Sequence, residues 1–389
     1  MKPHRAPAQP PVGNPLMLPI STPFVILALC LVASLLAAVA QAEPAGGDFG
    51  QPRTIVPAAD ERLPHLAWPK IVKVPDGTLV VGYVAARTHT AGGCPAVSIS
   101  HDGGRTFTKP HLLAEFDDTT EYRHCGNLAL GVAGDGAIVL LAMAFTKEVR
   151  NTIYGWRSTD SGRTWRPADT SELGPNRTGS VYGCVFDVPG RGLAVCGHYR
   201  KPVGTGLWIS FSSDTGQTWQ KPDTITTEKL RAENLVEPCF ISVGDDRLIG
   251  LARSDSARGY LQFVSADKGT TWGEPTLVLS GEKAVHPSPF LTLSPNDPGR
   301  LLALQSQRTP RGEIYLWSAD AAELAWRRIG LLASFKGCED YSYPWMTHLH
   351  DDVWYAVFYA GKTNGPNSIY GMEVEIPRVE PRGKTDDGR

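Results

Sequence analysis

Arginines close or follow apolar runs at three places: Arg87 (GTLVVGYVAAR), Arg253 (RLIGLAR) and Arg308 (LLALQSQR). A guanidinium offers a planar fork of donors that matches a carboxylate, so arginines gathered at one mouth would hold an anionic ligand. Tyr341 and Tyr343 stand two residues apart in the run Glu339-Asp340-Tyr341-Ser342-Tyr343-Pro344. A tyrosine hydroxyl, with an ordinary pKa of about 10, becomes a useful nucleophile only beside a base such as a glutamate, and Glu237 heads an apolar segment of its own. On the loop after Arg87, His89 and Cys94 are the only titratable side chains, which makes His89 the local candidate for proton transfer. His124, in His124-Cys125-Gly126-Asn127, is more readily read as a loop histidine than as a catalytic one. Neither a C-x-x-C nor a His-x-x-x-His spacing occurs, so the sequence supports no metal site, and no cofactor is expected.

The elements that must position these groups announce themselves as a repeat. Ser100-x-Asp102-x-Gly104-x-Thr106-Phe107 recurs as Ser158 to Trp165, Ser212 to Trp219 and Ser265 to Trp272, always S-x-D-x-G-x-T followed by an aromatic residue. A degenerate fifth copy keeps Ser318, Asp320 and Trp326. The aspartates step by 58, 54, 53 and 53 residues, and self-similarity at a fixed period of this size signals a solenoid or a propeller. Within the box, Asp accepts from turn amides, Gly supplies a positive φ and the Thr hydroxyl closes the turn. Asp102, Asp160, Asp214 and Asp267 are therefore turn residues, and the aromatic residue that follows is expected to be buried between strands. Short apolar or alternating runs such as Gly77–Ala86 and Leu248–Ala252 read as strands, about four per unit, with no long helical period after residue 42. The chain is all-β. The 347 residues from Glu43 onward hold about six such units, five or seven remaining open, and a closed propeller would be a single domain.

Residues 24–39 are almost wholly apolar, follow a Pro-rich head carrying Lys2 and Arg5, and end in Ala40-Gln41-Ala42. This order of cationic head, short apolar run and small-x-small site reads as a secretory signal over residues 1–42, the alternative being an uncleaved anchor. The run is short of the ~20 residues a membrane span needs, so no stable span is expected. Residues 43–59 read as a linker, 60–378 as the propeller and 379–389 as a charged tail. With 38 Lys and Arg against 40 Asp and Glu, the chain lacks the basic excess of a nucleic-acid binder. Six cysteines remain after the signal. Cys184 and Cys196 flank Pro189-Gly190-Arg191-Gly192 and are expected opposite each other in a hairpin, as a disulfide or as two core thiols.

The four-fold box resembles the Asp-box of the sialidases (neuraminidases), over roughly residues 63–376. The resemblance implies a six-bladed β-propeller whose ligand binds at the axial mouth. It further implies an arginine triad for a sugar carboxylate, an Asp acid/base, and a Tyr nucleophile activated by Glu. Carried over position by position, Glu237 resembles the base, Arg253 and Arg308 the second and third arginines, and Tyr341 the nucleophile, with Arg87 at the edge. The family's opening Arg-Ile-Pro appears as Ala67-Trp68-Pro69, with Lys70 adjacent, so the first arginine is missing. No Asp stands on the loop after Arg87, which leaves His89 or an acid from another loop to protonate the leaving group. The implied activity is exo-glycoside hydrolysis of sialic acid or another anionic sugar in glycans by an exported monomer. A non-catalytic glycan-binding propeller is the first alternative, and a polysaccharide lyase using Tyr and His the second.

Overall fold

The structure, a computed structural model, describes residues 43–378 apart from 149, 201–202, 226–233, 256–258, 281–286 and 310–311. The proposed signal segment and the tail lie outside the described residues. Within them the chain is all-β. The only helix among them is a single 3-10 turn, Ser171–Leu173, and no helix is long and apolar enough to cross a membrane.

Antiparallel strands follow one another in six units. The first strands of these units are His65–Lys73, His124–Val132, Gly179–Val188, Leu235–Val243, Phe290–Ser294 and Asp340–His350. Each is succeeded by a second and third strand hydrogen-bonded in order, and in units one to five by a fourth, outer strand. Asp-Gly turns start several of these hairpins. Asp76 Oδ1 accepts from the Thr78 amide at 2.9 Å and Asp135 Oδ1 from the Ala137 amide at 3.1 Å, with Gly77 and Gly136 at φ 89° and 82°. The first strand of each unit touches that of the next, and the sixth touches the first. Apolar side chains from neighbouring units meet between the sheets; Gly82, for example, faces Leu140 and Leu130 of unit two.

The sixth unit has three strands of its own, and Arg53–Val56 supplies the fourth by pairing with Asn367–Glu375. Ala45–Gly46 likewise pairs with Arg327–Ser334, the outer strand of unit five. Residues 43–59, expected as a linker, thus contain two strands, because the unit at the chain's end leaves an open edge whose backbone groups need partners.

The four boxes are superimposable turns between third and fourth strands. In each, the Ser hydroxyl accepts from the Gly amide at 2.8–2.9 Å, one Asp oxygen accepts from the Thr amide at 2.8–2.9 Å, and the Thr hydroxyl donates to the other at 2.6–2.7 Å. The aromatic residues after them are less uniform than the repeat suggests. Trp219 is buried, but Trp165, Trp272 and Phe107 are only half-buried. Trp165 spends its indole N–H on Gly162 of its own turn at 2.9 Å, while Trp272 lies edge-on to Phe240.

A second repeated device is a bulge in the first strand. Register slips between Ala67 and Lys70, Cys125 and Leu128, Tyr182 and Val185, Val236 and Cys239, and Ser342 and Trp345. At four of these five the backbone enters positive φ, at Trp68 (57°), Gly183 (97°), Glu237 (52°), and Ser342 and Tyr343 (114° and 53°). Bulges bend a strand and re-aim one side chain, and they concentrate next to active sites. The bulge also corrects the expected cysteine pair. Cys196 stands opposite Tyr182, and the slip that follows carries Cys184 out of register with it.

Candidate active site

Glu237 is buried on the bulge of unit four, on the first strand. Its Oε1 accepts from the Tyr343 hydroxyl at 2.5 Å, and its Oε2 lies 3.3 Å from Arg253 Nη1 and accepts from the Ser288 amide at 3.0 Å. Its own amide donates to His198 Nδ1 at 3.2 Å. Burial works to raise the Glu237 carboxyl, but the Arg253 guanidinium, the Tyr343 hydroxyl and the Ser288 amide outweigh it and hold the group below its ordinary value. Burial and the Glu237 charge push the Tyr343 hydroxyl well up. The pair therefore rests as carboxylate and phenol, joined by one short hydrogen bond.

Asp340 opens the first strand of unit six beside this pair. Its Oδ2 lies 2.6 Å from His89 Nδ1 and 3.3 Å from His65 Nε2. Its Oδ1 accepts from the Tyr359 hydroxyl at 2.8 Å and lies 3.6 Å from Arg308 Nη2. Burial opposes its ionisation, yet His65, His89 and Tyr359 together hold it well below the usual carboxylate range. Aromatic rings join the two halves. Trp68 sits edge-on to His89 at 5.1 Å and to Tyr343 at 6.3 Å, and Tyr343 lies 5.9 Å from Tyr359.

Of the residues singled out by sequence, Glu237, Arg253, Arg308 and His89 all belong to this constellation. Arg253 stands in the last turn of the second strand of unit four, where Asp255 also binds it at 2.8 Å, and Arg308 follows the second strand of unit five. Two others lie apart from it. Arg87, after the second strand of unit one, pairs with the exposed Asp118 at 3.3 Å. The Tyr341 hydroxyl donates to the Thr309 carbonyl at 3.0 Å while its ring stacks on Phe335, so Tyr343 and not Tyr341 meets Glu237. The physical reason is the positive φ at Ser342 and Tyr343, which breaks the strict alternation that would put both rings on one face. Lys70 turns inward: it is buried with Nζ 4.1 Å from the Tyr182 ring centroid and 4.4 Å from that of Trp345. His124 is also internal, accepting from the Gly93 amide at 2.8 Å, and burial pushes its pKa down to about 4.

Sequence reasoning missed Asp340, His65 and Tyr359. Asp340 was in view as the neighbour of Tyr341, but its partners come from units one, five and six, and no spacing within the chain signals that meeting. The atoms His65 Nε2, His89 Nδ1 and an Asp340 oxygen lie within 4.8 Å of one another, a donor set of the kind that can hold a metal ion. The nearby Arg308 and the Tyr359 donor already balance Asp340, which fits a hydrogen-bonded histidine–carboxylate network equally well.

A family profile described as BNR repeat-like domain matches residues 112–355. No curated protein sequence matches the chain. Among solved structures, a protein of unknown function from Dyadobacter fermentans is similar at 19% identity and a TM-score of 0.67, over 85% of this chain and 100% of that one. A Hadza microbial sialidase is similar at 18% identity and TM-score 0.63, over 84% and 68% of the two chains. A Trypanosoma rangeli sialidase in complex with the inhibitor DANA is similar at 17% identity and TM-score 0.62, over 85% of this chain and 59% of its own. At these identities the likeness is one of fold.

Proposed function

The chain belongs to the BNR repeat-like domain family, and from that premise we propose that it is an exported glycoside hydrolase of sialidase type, a six-bladed β-propeller that removes sialic acid or another anionic sugar from glycans. The observation that carries this reading is the Tyr343 hydroxyl on Glu237 at 2.5 Å, with Arg253 and the Ser288 amide fixing the carboxylate from its other side. The six successive units and the ring of contacts among their first strands support the propeller.

In this mechanism Tyr343 Oη bonds to the anomeric carbon as its proton passes to Glu237 and the bond to the leaving oxygen breaks. A neutral phenol avoids the repulsion that a carboxylate nucleophile would meet at an anionic sugar, the reason sialidases depart from the two-carboxylate pattern. Protonated His89 supplies the leaving oxygen with a proton. Asp340 holds Nδ1 and leaves Nε2 as the nitrogen for proton exchange. Water then attacks the anomeric carbon, His89 taking its proton, as the bond to Tyr343 Oη breaks and Glu237 returns its proton to the phenolate oxygen. Arg308 and Arg253 face the sugar carboxylate, and Arg87 stands at the rim.

One observation favours a second reading, a propeller that binds glycans without cleaving them. Both inner arginines are already paired with site carboxylates, Ala67 stands where the resemblance puts the first triad arginine, and Lys70 supplies no substitute. Incubation with a 2,3-difluorinated sialoside separates the two. The hydrolase reading expects a glycosyl adduct on the peptide bearing Tyr343 and turnover of aryl sialosides. Glycan binding with neither would move the protein to the second reading, and a product with ultraviolet absorbance would point to a lyase. Export is read from residues 1–42 and expects a processed N-terminus at Glu43 by mass spectrometry.

A further inference from the structure

Cys184 and Cys239 belong to the first strands of neighbouring units, three and four, and their sulfurs lie 3.8 Å apart. The two backbones are close as well as the side chains. A Cβ placed on Gly183 would come within 2.7 Å of the Pro238 carbonyl oxygen and 3.3 Å of the Cys239 Cα. That proximity follows from paired bulges: the slip after Tyr182 delivers Cys184, and the slip after Val236 delivers Cys239, to the same seam. A disulfide bond is about 2.0 Å long, so the two sulfurs must close from 3.8 Å to form one.

We propose that Cys184 and Cys239 are a cross-linking site, closed to a disulfide between the inner strands of units three and four when a small disulfide is supplied. Nothing in this depends on the catalytic reading. The two residues are unequally exposed, which sets the order of events. Cys184 is partly exposed and Cys239 is fully buried. The Cys184 thiolate attacks the small disulfide, forming a mixed disulfide and releasing one small thiol. The Cys239 thiolate then attacks the Cys184 sulfur, forming the protein disulfide and releasing the second small thiol. The two protein thiols are oxidised, the small disulfide is reduced, and the two protons leave with the released thiols.

The hydrogen bond to Cys239 and burial together push the Cys184 thiol well up. Among the described residues, Lys70 Nζ is buried with no hydrogen-bond partner, over the ring of Tyr182, two residues from Cys184. Burial pushes its pKa down to about 7, while Cys239, Glu237 and Cys184 act on it electrostatically in the opposite direction. Cys94 instead approaches the Gly92 and Phe116 carbonyls, and Cys125 that of Gly126.

The test uses the folded full chain and 4,4′-dithiodipyridine, followed by denaturation, alkylation and peptide mapping without reductant. The expected result is a single linked peptide pair containing Cys184 and Cys239, with two thiopyridones released for that pair and any further release matched by a pyridyl adduct on the other partly exposed cysteine, Cys338. Cys196→Ser should give the same pair, and Cys239→Ser should stop at the mixed disulfide on Cys184. Alkylation of both Cys184 and Cys239 after treatment, or a stable pyridyl adduct on each, would overturn the proposal, as would linkage of either to another cysteine.

Discussion

The Glu237 carboxylate binds Tyr343, Arg253 and Ser288 at once, so each substitution there removes a different quantity. Tyr343→Phe deletes only the oxygen that attacks in the proposed hydrolysis. Turnover should fall by about a thousandfold or more while the Kd of a sialoside inhibitor changes little, and Tyr341→Phe should leave both near their starting values. Steady-state kinetics and calorimetry read the contrast; a loss of turnover confined to Tyr341→Phe would return the nucleophile role to Tyr341. Buried histidines predict the pH response of the fold. Burial pushes His198 from its ordinary 6.5 down to about 3, so it stays neutral in the folded chain while the unfolded chain takes up a proton. Because the unfolded state then binds more protons, stability should decline as pH falls below about 6.5, and continue to decline toward 3. His198→Asn, which keeps an acceptor for the Glu237 amide, should flatten the slope between pH 6.5 and 4.5 in chemical denaturation. The residue scale is also where sequence reading is most uneven. The meeting of Arg253, Arg308 and Glu237 in one constellation was legible from their places at strand ends and beside Pro238, whereas Arg87, at a strand end too, lies apart from it. The choice between Tyr341 and Tyr343 was not, since it turns on a positive φ that Ser342 and Tyr343 do not advertise, as a glycine would.

The units divide labour between turn and strand. The boxes were legible because the hydrogen bonds that join their Ser, Asp, Gly and Thr to one another are local, spanning at most four residues. Their aromatic residues were over-read, because how deeply each ring sinks depends on the neighbouring unit. Trp219 packs in a cluster with Leu141, Val139 and Leu193 from units two and three, whereas Trp165 is only partly covered. Trp219→Ala should therefore cost about 3–5 kcal/mol, and Trp165→Ala distinctly less. Denaturant melts of the two variants test this, and equal costs would restore the equivalence that the repeat implies. The first-strand bulges were invisible for the opposite reason. Their sequences, from Ala67-Trp68-Pro69 to Ser342-Tyr343-Pro344, share little beyond an occasional proline, and only the register of the paired strands discloses them. They nevertheless put Trp68, Glu237 and Tyr343 within one site.

Across the whole molecule, the site draws on the two ends of the repeat. His65 and His89 come from unit one, Arg308 from unit five, Asp340, Tyr343 and Tyr359 from unit six, and Glu237 and Arg253 from unit four. Units six and one meet through the Asn367–His65 bridge and the contact of their first strands. Their seam is also closed from outside by Arg53–Val56, the strand that completes unit six. Arg53 reaches from this strand to unit one, donating to the Arg105 carbonyl at 2.9 Å and to the Gly104 carbonyl, and it lies 3.3 Å from the Tyr355 hydroxyl of unit six. A strand that joins last to first replaces an open edge, whose unpaired backbone groups would otherwise face water or another chain, with a paired one. Deleting residues 43–57 should therefore do more than remove two short strands. It should expose the edge of Asn367–Glu375, loosen the seam between units six and one, and free Asp340 from His65 and His89. The expected outcome is a lower melting temperature, early proteolytic cleavage within residues 340–375, and loss of turnover even though every site residue remains. Limited proteolysis with mass spectrometry, run beside the sialoside assay, makes the comparison. A truncated chain that melts with the full one and keeps its activity would show that units six and one hold together without the strand.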